Sequence, residues 1–230
     1  MKSIDKGIFL QRTTFSDSSL IVTFFTQKNG LQKFVFRGGK KKAHNIFAMS
    51  LSELCYYGRK ESDLLNLTSV ESVRPQTFQF DPVKGAIAFF MAETLRKCVT
   101  LGQADEEFFD FVEQWVVHLE ERDNVTLFPL EFLIGCSEIL GIKPLCDDPS
   151  ATVFNLDAGV FQISSSPIER TYRGDAVVLI KGLVERKNSE LMEKSDREEA
   201  LEIMLQYFRI HVPRFDKLES YEIVREVLRA

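Results

Sequence analysis

The 230-residue chain is poor in the residues that carry most catalytic and metal chemistry: it has three histidines, one tryptophan and four cysteines. The cysteines are Cys55, Cys98, Cys136 and Cys146, and none forms a CxxC pair. A structural zinc site asks for three or four converging ligands, usually in short-spaced pairs, so no metal is expected. Scattered free thiols fit a reducing compartment. His44, His118 and His211 lie far apart without a companion motif. P-loop, GxGxxG, GxSxG and HExxH patterns are all missing, which argues against an enzyme and against a bound cofactor. There is no apolar run of about 18 residues, so no membrane helix is expected. Residues 1–10 carry Lys2, Asp5 and Lys6 and lack the unbroken apolar stretch of a signal peptide. A cytoplasmic protein is the expectation.

Apolar residues are abundant by contrast: 44% of the chain is hydrophobic, with 20 phenylalanines. The net charge of −5 conceals two halves of opposite sign. Residues 1–75 hold 12 Lys and Arg against 6 Asp and Glu, and the remainder holds 17 against 28. A basic first third suits phosphate backbones, and an acidic remainder does not.

Residues 7–13, 20–26, 31–37, 49–57 and 64–73 read as five short strands. The second, Leu20-Ile21-Val22-Thr23-Phe24-Phe25-Thr26, is β-branched and aromatic. Lys28-Asn29-Gly30 then marks a tight hairpin. Five short strands joined by turns predict a small barrel. Pro75 and Pro82 bound the passage to helical periodicity. Helices are predicted over 83–101, around the Phe108 to Leu119 stripe, and around Leu130 to Leu140 with a stop at Gly141 and Pro144. Residues 145–174 read as irregular, with a short hairpin near 154–163. A helix capped by Asp175 runs to about 187, one opens at Ser195-Asp196 and ends before Pro213, and a last one covers 218–228.

The run Arg37-Gly38-Gly39-Lys40-Lys41-Lys42 places four cations in six residues. Raised on two glycines at a strand end, it is expected to form a flexible loop that contacts phosphates without reading bases. Arg59 and Lys60, after the fourth strand, extend the basic set. Phe34, Phe36, Tyr56 and Tyr57 sit on the same strands; exposed rings there would stack on bases, although most are expected in the core. His118, beside the Trp115 stripe, is expected in a structural role. Glu106-Glu107, Glu120-Glu121 and Glu198-Glu199 read as solvated helix faces.

Order and spacing taken together resemble the bacterial RecO recombination mediators. The resemblance rests on Gly7-Ile8-Phe9-Leu10, on residues 17–26 with Gly30, and on the basic segment after the third strand. Tyr57-Gly58-Arg59-Lys60, residues 64–71 and the closing residues Tyr207, Arg209, His211, Leu218, Ser220, Ile223, Val224, Val227 and Leu228 complete it. The resemblance implies an α+β protein with an N-terminal OB-type barrel over 1–78 and a helical domain over 79–230. It implies binding of single- and double-stranded DNA, strand annealing, cooperation with RecR, and help in loading RecA onto DNA. It further implies capture of the acidic tail of the single-stranded-DNA-binding protein and a nucleoid-associated location in the cytoplasm. Such a tail needs an apolar pocket rimmed by cations, for which Arg96, Lys97, Arg209 and Arg214 are candidates. Arg37, Lys40, Lys41, Lys42, Arg59 and Lys60 are the DNA-binding candidates. Many family members carry a four-cysteine zinc site over about 145–174; here Cys146 alone falls near a ligand position, so that insertion is expected to hold by packing. A competing reading, favoured by the acidic pI of about 5.4, is a protein-interaction adaptor that does not bind DNA.

Overall fold

The computed structural model describes residues 2–43, 46–58, 62, 64–165, 168–187 and 193–227. The chain folds into two compact units, Met1–Asp123 with Leu218–Val227, and Asn124–Lys217. Among the described residues no helix is long and apolar enough to cross a membrane.

In the first unit β1 (Lys2–Thr14), β2 (Leu20–Thr26), β3 (Gly30–Phe36), β4 (Leu51–Tyr57) and β5 (Leu64–Ser72) close a barrel in the order β1-β2-β3-β5-β4. All pairs are antiparallel except β3 with β5, the arrangement of an OB fold. The expected five-stranded barrel is what the chain forms. β1 is longer than its sequence pattern predicts, because Lys2, Asp5 and Lys6 hide its first half. It pairs with β4 over residues 2–8 and with β2 over 7–14, shifting register between Phe9 and Gln11. That irregularity lets one long strand bend from one neighbour to the next.

Rings fill the barrel. Phe9, Phe24, Phe34 and Tyr56 meet edge to face at 5.4, 6.0 and 5.1 Å, and Val22, Leu54 and Leu67 pack around them. Phe25, on the opposite face of β2, packs at 5.7 and 5.6 Å against Phe108 and Phe109 of α3 (Glu106–Glu121). Asp5 is buried and ties down the β2–β3 turn by accepting from the Lys28 N–H and the Asn29 amide. One helical turn, α1 (Gly39–Lys42), follows β3.

α2 (Pro82–Cys98) begins where Pro82 needs no N–H and the Asp81 carboxylate accepts from Val83 and Lys84. After the whole second unit the chain returns as α7 (Ser220–Val227), which packs along α2. Glu93 of α2 pins it: its buried carboxylate accepts from the Glu219 N–H at 3.0 Å, the Ser220 N–H at 2.9 Å and the Ser220 hydroxyl at 2.6 Å. Burial by itself would raise the pKa of Glu93. Those hydrogen bonds, led by the Ser220 hydroxyl, and the charge of Arg96 outweigh burial and hold it below the ordinary value of 4.5.

The second unit packs α4 (Phe128–Ile139), α5 (Asp175–Val184) and α6 (Lys194–His211) with a small sheet. The sheet is ordered β7-β6-β8, from β6 (Val153–Asn155), β7 (Val160–Gln162) and β8 (Thr171–Tyr172). The hairpin expected near 154–163 is there, and it gains a third strand inside a stretch read as irregular. Phe154 is fully buried, stacked on Phe161 at 4.8 Å and tilted against Tyr207 at 5.5 Å. The Tyr207 hydroxyl donates to the Ile142 carbonyl at 2.6 Å. At Gly159, with φ of +67°, a β-carbon would stand 2.6 Å from that hydroxyl, so both conformation and space require glycine. Asp175 opens α5 as its first residue; the cap is Gly174, whose φ of 98° no carboxyl side chain would relieve.

Candidate nucleic-acid interface

The cations after β3 do not form a loose loop. Gly38, with φ of +67°, turns the chain off the end of β3, and the Lys41 and Lys42 N–H groups bond back to its carbonyl at 3.1 and 3.3 Å. Gly39 is buried: a β-carbon there would stand 3.1 Å from the Phe36 ring and 3.3 Å from Leu20, so the turn can lie flat on the barrel. The Lys40 N–H bonds the Ser18 carbonyl in the β1–β2 connection at 3.3 Å. Arg12 of β1 donates to the Ala43 carbonyl at 3.0 Å, just beyond the turn. These hydrogen bonds seat the backbone of the turn against the barrel. Arg37, Lys40, Lys41 and Lys42 all remain exposed, and Lys42 reaches over the Phe36 ring at 6.0 Å.

Most of the strand rings lie in the core, as expected. Phe34, Phe36 and Tyr56 are core; Tyr57 is 45% exposed. Phe15, in the connection that α1 holds through Ser18, is 56% exposed and stands at the cationic end of the barrel. Its only sequence signal was a position just past a strand end. Arg59, Lys60 and His44 lie outside the described residues.

Residues 1–76 match the family model described as Recombination protein O N terminal, and residues 79–221 match Recombination protein O C terminal. The chain belongs to the RecO family. It is 26% identical over 234 residues to the DNA repair protein RecO of Christiangramia forsetii and 28% over 233 residues to that of Phocaeicola vulgatus. Flavobacterium psychrophilum has a relative of the same name at 24% identity. Each alignment covers 96% of this chain and 97% of the relative. The RecO models meet between residues 76 and 79, whereas packing groups α2, α3 and α7 with the barrel.

The four partner-binding candidates of this RecO chain fall in both units. Arg96 and Lys97 lie half-buried in the last turn of α2, with Arg96 donating to the Gln11 side-chain oxygen of β1. Arg209 lies in the last turn of α6, and Arg214 follows the helix with φ of +64°; both are exposed. His211 is engaged structurally: its Nε2 lies 2.7 Å from the Leu156 carbonyl, and its ring lies 4.2 Å from that of Tyr207. The four cysteines are free thiols, and the Cys146 sulfur lies 3.5 Å from the Asp148 carbonyl. Among the described residues no three His, Cys, Asp or Glu side chains are grouped to hold a metal ion.

Proposed function

We propose that this RecO chain is a non-catalytic recombination mediator that binds single- and double-stranded DNA through the cationic end of its barrel. On this reading it anneals complementary strands and, with RecR, helps to load RecA onto DNA covered by single-stranded-DNA-binding protein. It works in the cytoplasm at the nucleoid. The observation that carries the reading is the display of Lys40, Lys41, Lys42 and Arg37 on one turn, with Arg12 and Phe15 beside it. Clustered cations neutralise phosphates, and a neighbouring exposed ring offers a base a stacking face. Arg59 and Lys60 belong to the same proposed set, and the metal-free second unit keeps its sheet by packing. The cations of the helical region, Arg96 and Lys97 or Arg209 and Arg214, are the proposed rim for the partner's acidic tail.

Replacing Lys40, Lys41 and Lys42 by alanine tests the reading. DNA binding is expected to weaken alike for all sequences, and the salt slope to flatten by up to about 0.7 per lost single-strand contact. Fluorescence anisotropy at several salt concentrations measures both. An unchanged slope, or no binding by the parent chain, would leave the adaptor reading in its place.

A further inference from the structure

A cavity of about 410 Å³ opens on the first unit, between β1, the segment that follows α1, and the helices α2 and α7. Its size and mostly apolar wall are those of a small-ligand pocket. Gly85 and Ala88 of α2 keep the wall low; a β-carbon on Gly85 would meet nothing nearer than 3.9 Å. Around it stand side chains that the core does not use. Phe89 is 60% exposed and Ile223 55%, and the half-open Phe47 ring meets the exposed Phe80 ring at 6.3 Å. The first unit buries most of its apolar side chains, so leaving Phe47, Phe80 and Phe89 in water around one cavity is a cost without a structural return.

The polar groups at the cavity are mainly cationic or amide. Arg12 and Arg96 flank it, and Gln11 and Gln79 contribute amides. Arg96 donates to Gln11, its charge lies beside the Glu93 carboxylate, and its Nε is buried without a hydrogen-bond partner among the described residues. Of the two carboxylates, Glu93 is consumed by the three donors of the α7 start, and Glu219 stands at the rim. Arg12 connects the cavity with the cationic turn: it lines the cavity and at the same time holds Ala43, the residue that ends α1. Lys42 and Phe47 are five residues apart, so the chain separates them by at most roughly 17 Å. That span falls within the stretch of about 4–16 nucleotides that one OB barrel holds.

We propose that this cavity receives an unstacked nucleobase of a single strand whose phosphates lie on Lys40, Lys41 and Lys42. Phe47 and Phe89 take the two faces of the base or of its neighbour. Gln11 and Gln79 meet its polar edge, and Arg12 and Arg96 take the flanking phosphates. Duplex DNA keeps its bases paired and uses the cationic turn alone. The inference rests on the DNA-binding reading above.

The test uses the full chain with two fluorescent oligomers of equal length, one of thymidylate and one abasic, so that phosphates are matched and bases are not. Phe89→Ala is expected to weaken thymidylate binding by roughly 5- to 150-fold, the range for loss of one stacked base, while abasic binding stays as it was. Alanine at Lys40, Lys41 and Lys42 is expected to weaken both. Phe89 is exposed, so its variant should unfold at nearly the parent temperature; Phe47→Ala repeats the test on a second element. The unaltered chain supplies a third readout: the emission of 2-aminopurine within the oligomer should change on binding as the base leaves its neighbours. Equal losses for both oligomers, unchanged thymidylate affinity in both phenylalanine variants, or 2-aminopurine emission that does not change on binding would each overturn the base pocket and leave the phosphate interface standing. Failure of the parent chain to bind either oligomer would overturn both. Should an acidic peptide ending in Phe bind in a Phe89-dependent way while thymidylate binding does not change, the cavity is a peptide site and the proposal is wrong.

Discussion

The two units of this RecO chain fasten their last-arriving pieces by different physics. In the first, α7 comes back from the far end of the sequence and is held on α2 by a buried carboxylate with three donors. In the second, the interior of the three-stranded sheet is held by a ring stack, Phe154 on Phe161 and against Tyr207, with the Tyr207 hydroxyl on the Ile142 carbonyl, while an exposed ion pair of Asp157 with Arg170 lies at its edge. A charge makes a strong anchor that depends on pH; a ring stack makes one that does not. Phe154, Phe161 and Tyr207 are buried and packed ring on ring in that sheet.

Three measurements would sharpen or break this comparison. The largest effect is expected for Phe154→Ala. Removing a fully buried ring should cost about 3–5 kcal/mol in chemical denaturation, by the same amount at pH 7 and pH 4. A small loss would mean that the sheet is held elsewhere. Glu93→Gln comes next, at about 1.5–3 kcal/mol near neutral pH, as hydrogen bonds to a charged acceptor become neutral ones. The fold holds the Glu93 pKa below 4.5, so its contribution is complete above that value and fades as pH falls through the lower folded value. The difference between parent and variant should therefore shrink in acid, and a difference that stays constant would refute the charged anchor. The smallest effect is none: chelator treatment should leave the unfolding temperature unchanged, whereas one zinc per chain by elemental analysis would put a metal where the ring stack is invoked.

Particular residues show why some of this was readable in advance. The barrel strands announced themselves because β-branched and aromatic residues recur in short runs between glycine turns. Pairing is mostly between sequence neighbours there, so local pattern and fold agree. The cationic cluster was equally plain as composition. Its geometry was not: a glycine pair followed by lysines reads as loose, and only the seating of Gly39 against Phe36 and Leu20 makes it a turn on the barrel. Phe47 carried no signal, and Phe89 read only as part of an apolar helical run. In a chain with 20 phenylalanines, nothing local separates a ring in the core from one at a cavity mouth. β8 was missed because two residues, Thr171 and Tyr172, show no period.

The amino-acid sequence by itself determined the element types, the five-stranded barrel, the order of the helices and the basic first third, since propensity, turn chemistry and charge are properties of neighbours along the chain. Tertiary structure alone decided that α2, α3 and α7 belong with the barrel, that Glu93 is an anchor rather than a surface charge, and that Arg12, Phe47, Arg96 and Ile223 share one cavity. Those facts depend on contacts between residues tens to hundreds of positions apart, and such contacts are set by which apolar faces can close on one another in space.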